Sequence, residues 1–356
     1  MNVPWAIPNI TAEDIEYVKS VLDTGWYTMG KNVKHVETSL ATLVGRRFGI
    51  AVTNGTAALE VVLRALDIGH GDEVIVPAVS YIASANTVSL VGAIPVFADV
   101  DAHMTLNPQQ VEQMITSKTK AVMAVDLTGS PCDYDHLSSL CDQKDVVLLV
   151  DGAQSLGSQY HGRSCLSYGL ASSTSFHAAK ILTTVEGGMI FTDDKRFAEK
   201  IQVIRNQGES QEKYIHHILG GNYRMTDVTA AFAVKQLDRF DATLRHRQQQ
   251  VHHYKKELQG IVDFLPVRKD SVSCNFIFLI FVDRRDELAV FLKEHGVDTR
   301  KIYPRTIPQQ PLYNQQQSFP VAERFCQRSL SLPLYATLSF DEIHYVCEKV
   351  KEFMKS

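Results

Sequence analysis

The chain has 356 residues, enough for about two domains of ordinary size. Its 36 basic and 40 acidic side chains give a net charge of -4, so it lacks the basic surface that nucleic-acid binding requires. Its hydrophobic fraction of 45% is ordinary for a globular protein, and no apolar run approaches the roughly 18 residues of a membrane helix. We therefore expect neither a nucleic-acid partner nor a membrane partner.

The start of the chain has no basic segment followed by an apolar core, which is the pattern of a signal peptide. The six cysteines are scattered without paired spacing, as is typical of buried thiols in a reducing compartment. These observations predict a cytoplasmic protein. We predict no metal site, because the side chains of the adjacent pairs His216-His217 and His252-His253 point apart on a helix or strand.

Strand and helix patterns alternate through the first two-thirds of the chain. Thr11 and Asp14 have the spacing of a capping box, which predicts the start of a helix. Predicted strands follow at 48–53, 73–77, 94–98, 119–126, 146–150, 171–176 and 189–192, with helices at 56–66 and 80–91. Short apolar strands separated by helices predict an α/β fold with a largely parallel sheet, buried on both faces.

The last third of the chain begins with a predicted long helix. Apolar residues recur at helical spacing from Thr226, and a polar stretch continues to residue 258. A predicted strand at 275–282 and predicted helices at 287–295 and 339–354 follow. We place a boundary near residue 245, which predicts a large domain of residues 1–245 and a small C-terminal domain of residues 246–356.

Ligands of parallel α/β sheets bind beyond the carboxyl ends of the strands, so we searched the residues after each predicted strand. Asp151 directly follows a buried strand, and Gln154 lies three residues further on. A carboxylate at this place can face a ligand. Asp is also a common helix N-cap or turn residue, and that interpretation remains open.

Lys180 comes soon after another predicted strand, among small and apolar residues. Partial desolvation lowers the pKa of a lysine amine and makes the amine a nucleophile toward carbonyl groups. The alternative is an ordinary surface lysine on a loop.

Two further groups suit a flat, phosphorylated ligand. Gly55 and Thr56 form a turn into a helix, where backbone N–H groups and a hydroxyl can bind a phosphate, although ordinary capping explains them as well. Tyr81 follows a strand end, where its ring covers a flat ligand or belongs to the core. A phosphate cup, an aromatic ring, a carboxylate and a lysine together predict a pyridoxal 5'-phosphate site.

The chain resembles the DegT/DnrJ/EryC1/StrS aminotransferases, which aminate keto-sugars attached to nucleotides. The segments that carry the resemblance are NGTAALEVVLRALDIGHGDEVIVPAVSYIASAN, DGAQSLGSQYHG, SFHAAKILTTVEGG and GGNYRMTDVTAAFAVKQL. The resemblance implies the aspartate-aminotransferase-like fold, pyridoxal phosphate fold type I. This fold has a large domain with a seven-stranded mixed sheet, a small C-terminal α/β domain, and a homodimer with shared active sites.

The resemblance also implies a role for each candidate residue. Lys180 matches the lysine that forms a Schiff base with the cofactor, and Asp151 matches the partner of the pyridine nitrogen. Gln154 matches the residue near the ring hydroxyl, and Tyr81 matches the stacking aromatic residue. The implied phosphate ligands are Gly55, Thr56 and Ser175, together with Asn222 from the partner subunit. A monomer would then have an incomplete site.

The implied reaction moves an amino group from L-glutamate to a nucleotide-linked keto-sugar, with pyridoxamine 5'-phosphate as the intermediate form of the cofactor. The segments around Lys180 and Asn222 favour amination at C4 of a 4-keto-6-deoxy sugar. The alternatives are a C3-keto-sugar or cyclitol aminotransferase and a non-catalytic regulatory homologue. Lys180 argues against the dehydratase branch of the family, which has histidine at this position.

One residue departs from the family's pattern. Val185 stands where relatives commonly have the first glycine of the loop after the lysine. Because a β-branched residue disfavours positive φ, the backbone of this loop is expected to differ from that of relatives.

Overall fold

The computed structural model describes residues 1–210 and 212–356. The strands are β1 (Phe48–Val52), β2 (Glu73–Pro77), β3 (Ile94–Ala98), β4 (Thr119–Val125), β5 (Val147–Asp151), β6 (Gln159–Tyr160), β7 (Arg163–Ser164), β8 (Ala171–Ser175), β9 (Gly188–Thr192), β10 (Asp263–Phe264), β11 (Ser271–Val272), β12 (Phe278–Phe281) and β13 (Ser329–Leu332). The helices are α1 (Ala12–Leu22), α2 (Lys31–Val44), α3 (Gly55–Ala65), α4 (Ala83–Leu90), α5 (Pro108–Met114), α6 (Tyr134–Lys144), α7 (Lys195–Arg205), α8 (Asp227–Asp238), α9 (Phe240–Leu258), α10 (Arg285–Glu294), α11 (Pro320–Arg328) and α12 (Phe340–Lys355).

A seven-stranded mixed sheet lies at the centre, in the order β1-β9-β8-β5-β4-β2-β3. The strands from β8 to β3 in this order pair in parallel, whereas β9 is antiparallel to both of its neighbours. The predicted sheet and α/β class are confirmed. Because the parallel strands run the same way, their carboxyl ends meet at one edge, where Asp151 ends β5 and Ser175 ends β8.

Both faces of the sheet are buried, and β2 shows how. Successive side chains of a strand point to opposite faces. Val74 and Val76 pack into one hydrophobic core and Ile75 packs into another, and all three are fully inaccessible to solvent. Burying each such side chain contributes about 1.5–3 kcal/mol, so near-continuous apolar strands are stable only when both faces are covered.

The C-terminal part has its own hydrophobic cluster around the antiparallel sheet β10-β12-β13. Helix α9 contributes Val251, Tyr254 and Leu258 to this cluster. Val3 also belongs to this cluster and pairs with Val297, so the first residues of the chain pack against its C-terminal part. The division near residue 245 stays a prediction. None of the helices in the described residues has the length and apolar character needed to cross a bilayer.

The strand predicted over residues 275–282 begins later than expected, at Phe278. Asn275 has a φ of 52°, which lies in the left-handed region and cannot continue a strand. The Arg247 guanidinium binds the carbonyl oxygens of Asn275 and Phe276, at 3.0 and 2.7 Å. These carbonyl groups are therefore bonded to a side chain and not to a neighbouring strand.

The single long helix predicted from Thr226 is wrong, because α8 and α9 are separate helices that meet at Arg239. The Arg239 guanidinium donates to both carboxylate oxygens of Asp14, at 2.9 and 2.5 Å. Asp14 is fully buried, and it also forms the predicted capping box with Thr11. The ion pair ties the helix junction to α1, a long-range contact that helical periodicity does not report.

We expect Asp14→Ala to lower the free energy of unfolding by about 3 kcal/mol, because it leaves Arg239 without its partner. Denaturation in urea measures the loss. Glu13→Ala is the matched control, since Glu13 pairs with Lys235 across α1 and α8 at 3.4 Å while 69% of its side chain is exposed. That variant should lose less than about 1 kcal/mol. Equal losses in the two variants would contradict this account.

Candidate active site

The carboxyl edge of the central sheet brings together candidate residues that are far apart in the sequence. Ser175 ends β8, and the chain then turns so that the Lys180 N–H donates to the His177 carbonyl at 2.8 Å. A small recess at this edge is lined by Ala153, Gln154, Leu156, Ser175, Lys180, Ile181, Leu182 and Phe276. Three predicted site residues, Gln154, Ser175 and Lys180, therefore share one recess.

Asp151 is a buried carboxylate with two hydrogen bonds. The Ser84 hydroxyl donates to one oxygen at 2.7 Å, and the Ala153 N–H donates to the other at 3.2 Å. The bond from Ala153 is a local contact, as expected if Asp151 were only a turn residue. The bond from Ser84 joins distant parts of the chain, and a turn alone would not require it. Burial raises the pKa of Asp151, while these hydrogen bonds and the charge of Lys180 oppose the rise.

The amine of Lys180 is withdrawn from solvent, unlike that of an ordinary surface lysine. Its Nζ lies 4.3 Å from the centroid of the Phe276 ring. Burial lowers the pKa of Lys180 to about 8, against the opposing effects of Asp151 and Cys274. An amine with this pKa is neutral in a useful fraction of molecules near neutral pH, and only the neutral amine attacks a carbonyl.

Gly55 and Thr56 begin α3 directly against Ser175. A Cβ on Gly55 would lie 2.9 Å from the Ser175 Cβ, so this approach requires glycine. The side chain of Asn54 caps the helix by accepting from the Ala57 N–H at 2.8 Å. Within the described residues no acceptor binds the N–H groups of Gly55 and Thr56. Two free N–H groups and nearby hydroxyls at a helix N-terminus fit a phosphate.

Tyr81 is 59% exposed, so its interpretation as a core aromatic residue is wrong. Its ring centroid lies 6.2 Å from that of Tyr303. The Gln154 amide is held at both ends: Nε2 donates to the Tyr303 hydroxyl at 3.4 Å, and Oε1 accepts from the Thr128 N–H at 2.7 Å. An exposed ring and a fixed amide are thus available to a flat ligand.

Asn222 lies in a segment that pairs with the end of β1: the Thr53 N–H donates to the Tyr223 carbonyl at 2.9 Å. Its side chain is exposed, and its backbone pairs with Asn206 in an isolated bridge. Within residues 1–210 and 212–356, no hydrogen bond connects Asn222 with Lys180, Asp151 or Ser175. The single chain does not bring this side chain into its own site through any such bond.

Val185 has a φ of +69°, so its β-branched side chain does not keep the loop out of the left-handed region. Such a conformation costs a non-glycine residue about 1–3 kcal/mol. The neighbouring hydroxyls hold the loop: Thr183 accepts from the Val185 N–H at 3.0 Å, and Thr184 donates to the Glu186 carbonyl at 2.8 Å. The side chain of Gln236 binds both backbone groups of Thr183.

Ser84, Tyr303, Phe276 and Asp126 were not predicted. Asp126 accepts hydrogen bonds from the Cys132 N–H, the Tyr134 hydroxyl and the Ser155 hydroxyl, at 2.9, 2.7 and 2.8 Å. Burial raises the pKa of Asp126 to about 6. Its bonds anchor the loop that carries Gln154, and its position at the end of a predicted parallel strand was a usable signal.

The residues at this edge fit pyridoxal phosphate. A buried carboxylate suits the ring nitrogen, free N–H groups suit the phosphate, and a desolvated amine suits the aldehyde. The fold and the site thus define a pyridoxal-phosphate-dependent aminotransferase.

Known proteins agree with this class. Residues 8–351 match the DegT/DnrJ/EryC1/StrS aminotransferase family. GDP-perosamine synthase of Escherichia coli O157:H7 is 34% identical, over 99% of this chain and 98% of the relative. The dTDP-3-amino-3,6-dideoxy-alpha-D-galactopyranose transaminase of Aneurinibacillus thermoaerophilus is also 34% identical, over 94% and 93%. The chain therefore belongs to the DegT/DnrJ/EryC1/StrS aminotransferase family.

Solved structures are equally similar. S. venezuelae DesV, in complex with a ketimine intermediate, has a TM-score of 0.95 at 32% identity, with 100% of this chain and 99% of DesV covered. The PLP form of Streptococcus pneumoniae Spr1654 has a TM-score of 0.96 at 30% identity, with 100% and 99% covered, and a PMP form of Spr1654 is also known. The predicted family, fold class and cofactor are confirmed.

We expect Ser84→Ala to weaken binding of pyridoxal phosphate by about tenfold at mildly acidic pH, because it removes a hydrogen bond to a charged group. The loss of this donor raises the pKa of Asp151 further. The carboxylate form is present above that pKa and disappears as pH falls through it, so the loss should shrink at alkaline pH. Fluorescence titration with the cofactor across this pH range measures the dissociation constant.

Ser80→Ala is the control for this experiment. The Ser80 hydroxyl contacts the Ser84 hydroxyl at 2.9 Å and makes no hydrogen bond to Asp151 in the described structure. It should change binding only slightly. A loss in Ser84→Ala that is the same at every pH would mean that Ser84 acts through packing and not through the charge of Asp151.

Proposed function

We propose that this sugar aminotransferase moves an amino group from L-glutamate to a nucleotide-linked keto-sugar, at C4 of a 4-keto-6-deoxy sugar. The observation that carries the proposal is the half-buried Lys180 at the carboxyl edge of the sheet, with Nζ 4.3 Å from the centroid of the Phe276 ring. Burial lowers its pKa to about 8, against the opposing charge of Asp151. The similarity to GDP-perosamine synthase supports a sugar linked to a nucleotide.

When bound, the cofactor supplies an electron sink that stabilises negative charge on the reacting carbon of the donor. Lys180 Nζ would hold the cofactor through its aldehyde carbon, with loss of water, and the free amine would accept and return the proton of the donor carbon. Its pKa of about 8 suits both directions of that transfer. The Asp151 carboxylate would hold a proton on the ring nitrogen, and its burial would strengthen this interaction.

The remaining site residues bind and orient. The N–H groups of Gly55 and Thr56 and the Ser175 hydroxyl bind the phosphate. The exposed ring of Tyr81 would hold the pyridine ring by stacking, and the Gln154 amide would bind the ring hydroxyl.

A homodimer completes the site in this proposal, with Asn222 of the partner subunit at the phosphate. The exposed position of Asn222 supports this role, since its own chain gives it no hydrogen bond to the other site residues. Large apolar side chains on the surface also support an interface: Trp26 is 60% exposed and Leu219 is 82% exposed. The cytoplasmic location and the domain boundary near residue 245 stay predictions.

Amination at C3 is the second candidate. The Aneurinibacillus relative, named for a 3-amino sugar, matches the percentage identity of the E. coli relative, so overall similarity does not separate C3 from C4. A cyclitol aminotransferase would carry out the same amination on a keto group of a cyclitol ring. A non-catalytic regulatory role would not explain why the amine of Lys180 is desolvated.

Lys180→Ala tests the reaction. The wild-type protein should turn yellow with pyridoxal phosphate and lose that colour with L-glutamate, and borohydride should fix the cofactor on the peptide that contains Lys180. The variant should show neither, and its turnover should fall by roughly 10²- to 10⁴-fold. Lys195→Ala is the control, because that side chain is 71% exposed in α7 and should change nothing. A colour change in Lys180→Ala equal to that of the wild type would reject the assignment.

A substrate panel tests the position of amination. We expect 4-keto-6-deoxy sugars linked to UDP, dTDP or GDP to yield a product with nitrogen at C4, assigned by NMR. Nitrogen at C3 would replace the first candidate by the second. Turnover of a free cyclitol ketone, with no turnover of any nucleotide sugar, would reject both.

A further inference from the structure

The ring of Phe276 faces the amine of Lys180 from the segment before β12. Its centroid lies 4.3 Å from Nζ, well inside the roughly 6 Å reach of a cation–π contact. Phe276 is 9% exposed, so little water competes for this contact. The negative face of an aromatic ring attracts an ammonium group, and it offers a neutral amine no comparable interaction.

Arg247 in α9 holds the backbone that carries this ring. Its guanidinium is buried and binds the carbonyl oxygens of Asn275 and Phe276, at 3.0 and 2.7 Å, and that of Leu334 at 3.4 Å. In the described part of the chain no carboxylate pairs with Arg247, whose hydrogen-bond partners are all main-chain carbonyl groups. Its hydrogen-bonding capacity is therefore directed at main-chain groups, and two of these bonds fix the position of residues 275–276.

We propose that Phe276 is a positioning residue for Lys180: its ring binds the ammonium form of that side chain whenever the amine is free, and Arg247 fixes the ring in place. This inference rests on the proposed role of Lys180 in the reaction. It adds a specific partner for the lysine during the part of the cycle in which Nζ is not bonded to the cofactor.

The charges around Nζ explain why a ring suits this place. Burial lowers the pKa of Lys180, while the Asp151 carboxylate and the Cys274 thiol raise it. A second carboxylate at 4.3 Å would attract the ammonium much more strongly than a ring does and would hold its proton. A ring keeps the charged amine in position and still lets it release the proton.

The test is the pKa of Lys180 in the cofactor-free protein. Isotope-labelled lysine gives an NMR signal that titrates, and its absence from Lys180→Ala assigns it. Replacing Phe276 by mono-, di- and trifluorinated phenylalanine nearly preserves the volume of the ring and progressively weakens its negative face. We expect the pKa of Lys180 to fall in steps, by about one unit in total.

The same series at Phe278 is the matched control. That ring lies two residues further along and stacks on Tyr254, with centroids 4.8 Å apart, so it should leave the pKa of Lys180 unchanged. A flat pKa series at Phe276, or a rise, would overturn the inference. Failure of wild-type Lys180 to bond pyridoxal phosphate would overturn the proposed function while leaving a stepwise fall in pKa intact, so the two failures are distinguishable.

Discussion

Desolvation at the carboxyl edge of the sheet acts on two opposite charges at once. It raises the pKa of Asp151 and lowers that of Lys180, so each group is driven toward its neutral form. The two groups offset this partly through their mutual attraction. Hydrogen bonds to Asp151 from Ser84 and Ala153 also oppose the effect of burial on the carboxylate, although its pKa stays raised. A Lys180 amine with a lowered pKa and an Asp151 carboxylate can coexist only while desolvation and these attractions offset each other.

The parallel strands of the central sheet bring the site residues to one edge. Because β5 and β8 are neighbours that run the same way, both end at the same edge of the sheet, with Ser175 two residues beyond Ser173, the register partner of Asp151. Glycine at position 55 lets the start of α3 approach Ser175 closely, because a Cβ there would lie 2.9 Å from the Ser175 Cβ. On the core side of the site, Asp126 anchors the loop that carries Gln154 by accepting from the Ser155 hydroxyl, and the Thr128 N–H donates to the amide oxygen of Gln154. The catalytic edge is thus held from the core side by polar contacts that are themselves buried.

Local pattern was enough to locate the strands, since each strand predicted in the first two-thirds lies within one residue of its observed bounds. It also singled out Asp151, Lys180 and the turn at Gly55 and Thr56 as candidates, because ligands of parallel sheets bind beyond the strand ends, while turn, capping and surface roles remained open for them. The proposed roles of Ser175, Gln154 and Asn222 come from the family resemblance, because spacing alone does not predict them.

Local sequence pattern does not predict contacts between distant parts of the chain. Phe276 and Tyr303 reach the site from the last third of the chain, and no periodicity links them to Lys180. Arg239, at the junction of α8 and α9, pairs with Asp14, more than two hundred residues earlier. Val185 keeps a positive φ because the surrounding hydrogen bonds outweigh its local preference, which only the folded loop reveals.

A crystal structure of the protein with pyridoxal phosphate tests the central claim most directly. The account predicts continuous density from Lys180 Nζ to the cofactor, with the Asp151 carboxylate within hydrogen-bond distance of the ring nitrogen. It also predicts the phosphate on the N–H groups of Gly55 and Thr56, with Asn222 of the partner subunit beside it. A cofactor bound elsewhere, or one whose ring nitrogen does not meet Asp151, would contradict the account.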